Sequence, residues 1–478
     1  MYASTKSVAL VGAEAKPVDV EVHVGRPQES FKLSGLPDTA VREAKDRVRA
    51  AVVSTGVRFP NRTVTVNLAP AHLPKAGTDY DLPIALGVLA ASAEMPLTGG
   101  VIVAGELALD GKVRSAWSTL GAGVLSAKTG EPCLVARSSA DDAAAVPGAL
   151  VFGVDTLAEA ADLMRAGLDR SLSVPAPSPE RVSGSTADMS DIRGQALARR
   201  ALEIAAAGPH HLLLHGPPGG GKTMLARRFP DLLPPLGEME AVDVSLIHSA
   251  AGIRRPLGTE RPFRSPHHTA SRAALVGGGS GVPGPGEASL AHHGVLFLDE
   301  LAEFPRGNLD TLRQPMEDRT VTIARKAMSV EFPAAFQLLA ATNPCPCGFH
   351  GDRRKPCICK PSAVERYRKR LSGPLVDRID LVVEVGRVTA DQLSSSPAES
   401  TAEIRRRVAA ARDFAAERPH SIDERAERLV ISAVEAALVT ARGADRTRRV
   451  ARTIADLDLS AVVSEHHVAE AMALRNEW

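Results

Sequence analysis

Residues Gly216 to Thr223 read Gly-Pro-Pro-Gly-Gly-Gly-Lys-Thr and meet every fixed position of the pattern G-x-x-x-x-G-K-[ST]. The chemistry served by this spacing is polyphosphate binding. Glycines let the backbone wind round phosphate oxygens, and successive N–H groups at a helix start supply positive potential. The pattern gives Gly216, Pro217, Pro218, Gly219, Gly220 and Gly221 to the cradle. It sends Lys222 to the β- and γ-phosphates of ATP and Thr223 to Mg²⁺. A second constellation is Gly294-Val-Leu-Phe-Leu-Asp299-Glu300, an apolar run ending in two carboxylates, the Walker B pattern. Asp299 at the strand end would order the Mg²⁺ shell, and Glu300 would polarise the attacking water. A third is Cys345-Pro-Cys347 and Cys357-Ile-Cys359, with glycines and a proline between that allow a tight loop. Four thiolates so placed suit a tetrahedral Zn²⁺. Free thiols and an iron–sulfur cluster are the alternatives, and His350 is a possible substitute ligand. His267, His268, His292 and His293 show no matching spacing to carboxylates and read as structural or loop residues.

These residues need elements to hold them. His211 to His215 is a short apolar run suited to a buried strand before the phosphate loop, and Met224 to Arg228 continues a helix after it. Leu338 to Asn343 is a second buried strand with a polar end. Between Glu317 and that strand, Thr320 to Ile323 and Ser329 to Phe332 alternate apolar and polar residues around Ala324-Arg325-Lys326-Ala327. That reads as a β-hairpin with a basic tip. The segment is similar to the pore hairpin before sensor 1 in AAA+ helicases of the replicative type, and that resemblance implies a DNA phosphate contact through Arg325 and Lys326. Upstream, residues 1–168 alternate strands and helices as an α+β domain. The expected elements are strands over Val18 to Val24, Thr63 to Leu68 and Val101 to Leu109, with helices from Pro37 to Ser54 and from Leu82 to Ala91. Residues 169–188, rich in Pro and Ser, read as a linker. Residues 189–390 form an α/β core, and 391–478 an Ala-rich helical lid. Lid helices are expected over Ala402 to Arg418, Ser421 to Arg442, Arg446 to Asp456 and Ser464 to Leu474.

Leu73-Pro-Lys-Ala-Gly77, Asp79-Tyr-Asp-Leu-Pro-Ile-Ala85 and Gly105-Glu-Leu-Ala-Leu-Asp-Gly111 resemble the Lon-protease-type domain of the ribosomal S5 domain 2-like fold. That protease uses a Ser-Lys dyad. Here Thr78, Asp79 and Asp81 stand where the serine is expected, and the helix after Val113 has no lysine before Lys128. A nucleophile without a base is not activated, so no protease activity is expected. Asp191-Ile-Arg-Gly-Gln195 is similar to the segment leading into AAA+ modules. On that resemblance Asn343 is the sensor 1 residue. Arg378, in Ser372-Gly-Pro-Leu-Val-Asp-Arg378, is the finger reaching a neighbouring subunit's nucleotide, with Arg370 the second choice, and Arg442 is the sensor 2 candidate.

Six further segments are similar to the Mg-chelatase-like AAA+ ATPases of the ComM/YifB group. They are Pro266-His-His-Thr-Ala-Ser271, Gly277-Gly-Gly279, Pro285 to His292, Leu312 to Glu317, Asn343-Pro-Cys-Pro-Cys-Gly348 and Ala451 to Leu457. The resemblance covers nearly the whole chain. It implies a ring-forming ATPase, a homo-oligomer expected to be a hexamer, and some relatives migrate branched DNA during natural transformation. The lid between Arg412 and Ser432 is shorter than the family's, and Arg442 is followed by Gly-Ala-Asp.

Bulk properties narrow the function classes. A net charge of +1 over 478 residues gives no global field for nucleic acid or anionic membrane, so a DNA contact must be local. Aromatics at 3% argue against a base-stacking platform. No apolar run reaches membrane-span length, and Met1 to Lys16 has no signal-peptide pattern, so a soluble cytoplasmic protein without a membrane partner is expected. The expected function is an ATP-driven DNA motor for helicase or branch-migration work. The alternative is a protein-remodelling or chelatase-type ATPase acting on a protein partner.

Overall fold

The computed structural model describes residues 1–92, 100–177, 187–279, 282–325, 328–352, 354–371, 373–394, 398–418 and 421–475. Strands β1 (Tyr2–Val11) and β2 (Glu14–Val24) form a long antiparallel hairpin turned at Gly12, whose φ is +66°. With β3 (Ser30–Ser34), β4 (Thr63–Ala69), β5 (Ile102–Ala104), β8 (Cys133–Ala136) and β9 (Val151–Val154) they build a seven-stranded sheet, ordered β3-β4-β2-β1-β5-β8-β9. A two-stranded ribbon, β6 (Glu106–Leu107) with β7 (Val113–Arg114), stands beside it. Val18, Val20, Val22 and Val24 alternate inward on β2 and meet the helices Ala44–Ser54 and Asp81–Ala91. The second of these is buried almost all round, as its apolar sequence demands. The opposite face packs Val8, Ile102 and Val135 on the helices Thr119–Thr129 and Ala140–Ala144.

The central core is a five-stranded parallel sheet ordered β11-β12-β15-β10-β16. Its strands are β10 (Leu212–His215), β11 (Phe263–Arg264), β12 (Val295–Leu298), β15 (Gln337–Thr342) and β16 (Leu381–Glu384). Such a sheet is covered on both faces, which explains strands that are apolar at nearly every position. Leu212, Leu214, Phe297, Leu339 and Val383 face the helix Ala196–Ala207 and the C-terminal helices. Leu213, Leu296, Leu298 and Ala340 face Leu275, Leu309, Leu312 and Tyr367.

The C-terminal helices are Thr401–Glu417, Glu424–Glu435, Ala441–Leu457 and Glu465–Ala473, with a short parallel pair of β17 (Ser421–Ile422) and β18 (Val462–Val463). Ile404, Val408, Val430, Ile454 and Val468 share one core with Leu212 and Leu214. Buried Asp380 ties the lid to the sheet through Arg446 at 2.7 Å and Arg449 at 3.0 Å.

Three expected elements differ. The helix expected over Ser421 to Arg442 is a strand and then two helices. Asp423 caps the first by accepting from Ala426 N, and Thr440 caps the second by accepting from Gly443 N. Arg442 therefore opens a helix instead of closing one. The stretch Val101 to Leu109 breaks at Gly105, where a Cβ would lie 3.0 Å from Val113 Cγ1 and 3.1 Å from Leu82 Cδ2. The helix expected from Pro37 divides at Glu43 into Thr39–Arg42 and Ala44–Ser54.

The N-terminal domain docks on the core at two places. Leu120 and Val146 pack with Val242 and Leu246 of the helix Glu238–Ala250. The β1–β2 turn meets the hairpin of β13 (Thr320–Ala324) and β14 (Ser329–Pro333). A Cβ at Gly12 would lie 2.8 Å from Glu331 O and 2.9 Å from Val330 Cγ1.

Candidate nucleotide site

The phosphate loop leaves the C-terminal end of β10 and enters the helix Lys222–Arg228. Gly219 and Gly221 take φ of +80° and +90°, a left-handed conformation that glycine adopts without strain. Gly216 passes against Val385 O, leaving no space for a side chain. Lys222 is buried. Its Nζ donates to Gly216 O at 2.7 Å, Pro217 O at 3.0 Å and Asn343 Oδ1 at 3.2 Å. Burial pushes this ammonium below its ordinary pKa. Thr223 Oγ1 donates to Asp299 Oδ2 at 2.8 Å. Three neighbouring strands thus place an ammonium, a hydroxyl, a carboxylate and an amide together. Because β15 lies between β10 and β12, Asn343 and Asp299 flank the loop from strands adjacent in space and distant in sequence.

Glu300 follows with φ +51°, and its N–H donates to Asp299 Oδ1 at 2.9 Å. Its carboxylate lies 3.2 Å from His268 Nδ1. Sequence spacing leaves His268 a loop residue; the PHHTAS segment carries it to this carboxylate from the end of β11. Gln195 also has no role assigned by spacing. Its Nε2 donates to Gly220 O at 3.1 Å and Gly386 O at 2.6 Å, bracing the phosphate loop from the entering segment. The signal for Gln195 is the DIRGQ segment itself. For His268 no spacing rule exists.

ATP and Mg²⁺ fit these residues. Thr223 and Asp299 offer two hard oxygens, the donor type Mg²⁺ prefers. The glycine cradle leaves its backbone open to an anion, with nothing within 4 Å of a Cβ at Gly219 or Gly221. The four cysteines fit a metal as well. Their sulfurs all lie within 4.8 Å of one another, with Cys345–Cys347 at 3.4 Å, Cys345–Cys357 at 3.7 Å and Cys347–Cys357 at 3.6 Å. A tetrahedron with ~2.3 Å bonds to zinc has edges of about 3.8 Å. Cys359 completes the four. Backbone hydrogen bonds from Phe349 and Ile358 pull the Cys347 thiol down to about 6, toward the thiolate a metal requires. The loop touches the nucleotide site directly, since a Cβ at Gly348 would lie 2.7 Å from Pro218 Cδ.

Arg378 and Arg442 stand at the other edge of the sheet. Arg378 Nη2 pairs with Glu317 Oε1 at 2.9 Å and Nη1 donates to Pro374 O at 2.7 Å. Arg442 Nη2 reaches the same Glu317 oxygen at 3.8 Å. The Arg378 guanidinium holds the Glu317 carboxyl below the usual carboxylate range. Arg370 lies elsewhere, paired with Glu303 at 3.0 Å just after the Walker B strand. A cavity of ≈ 500 Å³ opens at the N-terminal edge, lined by Glu317, Asp380, Arg412, Arg446 and Arg449 among others. It is remote from the phosphate loop.

The hairpin pairs Val321 with Phe332 and Ile323 with Val330, and Arg325 N donates to Met328 O at 2.9 Å at the turn. Arg325 is exposed; Lys326 lies outside the described residues. In the N-terminal domain, buried Asp79 accepts from Trp117 N at 3.2 Å and Ser118 N at 2.9 Å. Burial pushes that carboxyl above its ordinary range. It anchors the start of the helix Thr119–Thr129, the helix in which the sequence holds no lysine before Lys128. Among the described residues no helix is long and apolar enough to cross a membrane.

The comparisons with known proteins agree with this architecture. The magnesium chelatase subunit ChlI family matches residues 188–393, a second ChlI family residues 20–138, and the ChlI C-terminal family residues 398–475. YifB of Escherichia coli is 40% identical over 491 residues, covering 98% of this chain and 96% of that protein. Competence protein ComM of Haemophilus influenzae is 39% identical over 496 residues, with coverage of 98% and 96%. Lon protease 2 of Bacillus subtilis is 32% identical over 206 residues, 37% of this chain and 36% of its own. A parallel-sheet AAA+ module of the magnesium chelatase type, a Lon-like domain and a helical C-terminal region therefore make up the chain, and it belongs to the magnesium-chelatase-like family of YifB and ComM.

Proposed function

We propose that the protein is an ATP-hydrolysing motor that assembles as a ring, a hexamer, and moves DNA. The observation that carries the ATPase reading is the convergence of Lys222, Thr223, Asp299 and Asn343 on one loop. Gly216 to Gly221 and Lys222 bind the polyphosphate. Thr223 and Asp299 hold Mg²⁺, which neutralises charge on the β- and γ-phosphates when bound. Asn343 orients the γ-phosphate and the water. Glu300 polarises that water for attack on the γ-phosphorus, with ADP as leaving group. Arg378 of one subunit stabilises charge at its neighbour's site, and Arg442 is its sensor 2 partner. Cys345, Cys347, Cys357 and Cys359 hold a structural zinc ion beside the phosphate loop.

DNA as the substrate is supported by the exposed basic tip at Arg325 and by the relative named a competence protein. ATPase rates with and without single-stranded, duplex and four-way-junction DNA test it. Stimulation by DNA is expected. Hydrolysis indifferent to all three DNAs would favour the protein-remodelling reading, and no hydrolysis would sink both.

A further inference from the structure

We propose that the cavity at the N-terminal edge of the parallel sheet is a second anion site, which takes the polyphosphate of a nucleoside di- or triphosphate. The cavity measures ≈ 500 Å³, within the range of pockets that hold ligands of this size. Five guanidinium groups line it, from Arg261, Arg319, Arg412, Arg446 and Arg449. The three carboxylates that line it with them are already engaged. Glu240 pairs with Arg261 at 3.0 Å and with His293 at 3.3 Å. Asp380 is shared by Arg446 at 2.7 Å and Arg449 at 3.0 Å. Glu317 is taken by Arg378 at 2.9 Å and Arg442 at 3.8 Å, neither of which lines the cavity. Among the described residues Arg319 and Arg412 therefore pair with no carboxylate.

Arg412 is the sharper case. Its Nε and Nη2 donate to Ala206 O at 3.0 and 2.5 Å, and Nη1 has no partner among the described residues. Burial, with the Arg261 cation nearby, pushes this guanidinium down to about 10, so it stays charged at neutral pH. A half-buried cation facing a like charge is stabilised by an anion that answers both. The Arg446 side chain is only 10% exposed, and its buried Nε has no hydrogen-bond partner among the described residues. Buried polar atoms are seldom left so. Arg319 holds φ at +58°, a left-handed conformation uncommon for a residue with a Cβ, and also lines a neighbouring cavity of ≈ 390 Å³. His211 adds a neutral donor. Burial lowers it to about 4, and its Nδ1 accepts from Leu338 N at 3.0 Å, which leaves the hydrogen on Nε2. This excess of cations and donors calls for a compact ligand with several charges. A phosphodiester backbone brings one charge per phosphate, whereas a di- or triphosphate brings its charges on adjacent phosphorus atoms. Phe336 and Met316 complete the lining, a surface suited to a nucleobase.

The test uses the full chain carrying Lys222→Ala, which blinds the phosphate loop in every subunit, with pyrophosphate and ADP as probes in the absence of Mg²⁺. Calorimetry should show saturable binding of both, ADP about fivefold or more tighter because its base meets Phe336 and Met316. Both should raise the melting temperature, since the ligand bridges the helices Thr401–Glu417 and Ala441–Leu457. Adding Arg412→Gln, which keeps a side-chain N–H for Ala206 O, should weaken both probes about tenfold or more. Adding Arg319→Gly should do the same, and glycine suits φ +58°, so a loss there is not a loss of folding. No binding of either probe at millimolar concentration overturns the site. Binding that both substitutions leave unchanged overturns the cavity as its place. ADP no tighter than pyrophosphate overturns the nucleoside. Pyrophosphate displaced by a short thymidine oligonucleotide, an effect lost with Arg319→Gly, would assign the cavity to a DNA backbone and overturn the small ligand. None of these readouts is hydrolysis, so their failure leaves the ATPase reading standing, and an inactive wild type leaves the second site standing.

Discussion

Glu300 and Lys222 carry separable tasks although they serve one site. Lys222 acts through its ammonium, with acceptors from the loop and from Asn343. Charge-assisted hydrogen bonds of this kind contribute roughly 1.5–3 kcal/mol each, so Lys222→Ala should weaken ATP binding more than about tenfold. Among the described residues no hydrogen bond or ion pair joins Glu300 to the loop or to Thr223, so Glu300→Gln should keep nucleotide affinity. Its turnover should fall by about 10²–10⁴, the usual weight of a general base. Fluorescent-nucleotide binding and phosphate release measure the two variants. Wild-type turnover in Glu300→Gln would show that another group activates the water. The phosphate loop and the two Walker carboxylates are legible in the sequence because each is a contiguous pattern. Gln195 and His268 are not, since each meets its partner only across a folded strand edge.

Two elements give predictions of their own. The cysteine loop begins two residues after Asn343 and rests on Pro218, so its integrity and the phosphate loop's are mechanically joined. Protein purified without added metal should contain about one zinc per chain, bound through thiolates at about 2.3 Å. Cys347→Ser should release that metal, lower the melting temperature and reduce ATP turnover. Elemental analysis without zinc, together with four freely titratable thiols, would refute the site. The hairpin is the second element. Its apolar face is spent on Gly12 and the loop at Gly277, which leaves the tip to carry charge. Arg325→Ala/Lys326→Ala should abolish DNA stimulation. For every duplex phosphate that is no longer neutralised, the log–log salt dependence of DNA binding should flatten by about 0.9. Binding measured from low to high salt decides this, and an unchanged slope would place the grip elsewhere.

At the scale of the whole molecule, the parallel sheet separates the phosphate loop from Arg378, the proposed finger. The phosphate loop leaves the C-terminal end of β10, whereas Arg378 precedes the N-terminal end of β16, its register neighbour. Four strand residues at about 3.3 Å each hold the two edges apart. One chain cannot bring Arg378 to its own Lys222 without breaking the sheet. A head-to-tail ring can, by setting the edge with Arg378 and Arg442 against the neighbour's loop. Arg378→Ala and Glu300→Gln should each be inactive alone. In an equal mixture about a quarter of interfaces join an intact Glu300 to an intact Arg378, and turnover should reappear in that proportion. Mixing that restores nothing, in assembled protein, would remove Arg378 from the role. In the proposed ring, Arg378 would have to leave the Glu317 carboxylate it pairs with here before it could meet a neighbour's phosphate.

What the sequence by itself determined is the chemistry written in adjacent residues. Gly216 to Thr223 needs only a strand before it and a helix after it, and Asp299 needs only the end of an apolar strand. Burial by a parallel sheet accounts for the continuous runs Leu212–His215, Val295–Leu298 and Gln337–Thr342, so the α/β core was legible too. The tertiary structure alone decided the order of the strands, and with it every contact between distant segments. It put β15 between β12 and β10, so that Asn343 meets Lys222, and put β11 at the edge, so that His268 meets Glu300. It joined the C-terminal helices to the sheet in one core, where composition suggested a separate lid. It set Arg378 and Arg442 together on Glu317. The physical reason is range. Local spacing encodes dihedral preference and burial, which act within a few residues. Strand order is chosen by the burial of two whole faces at once, and no single stretch of the chain records that choice.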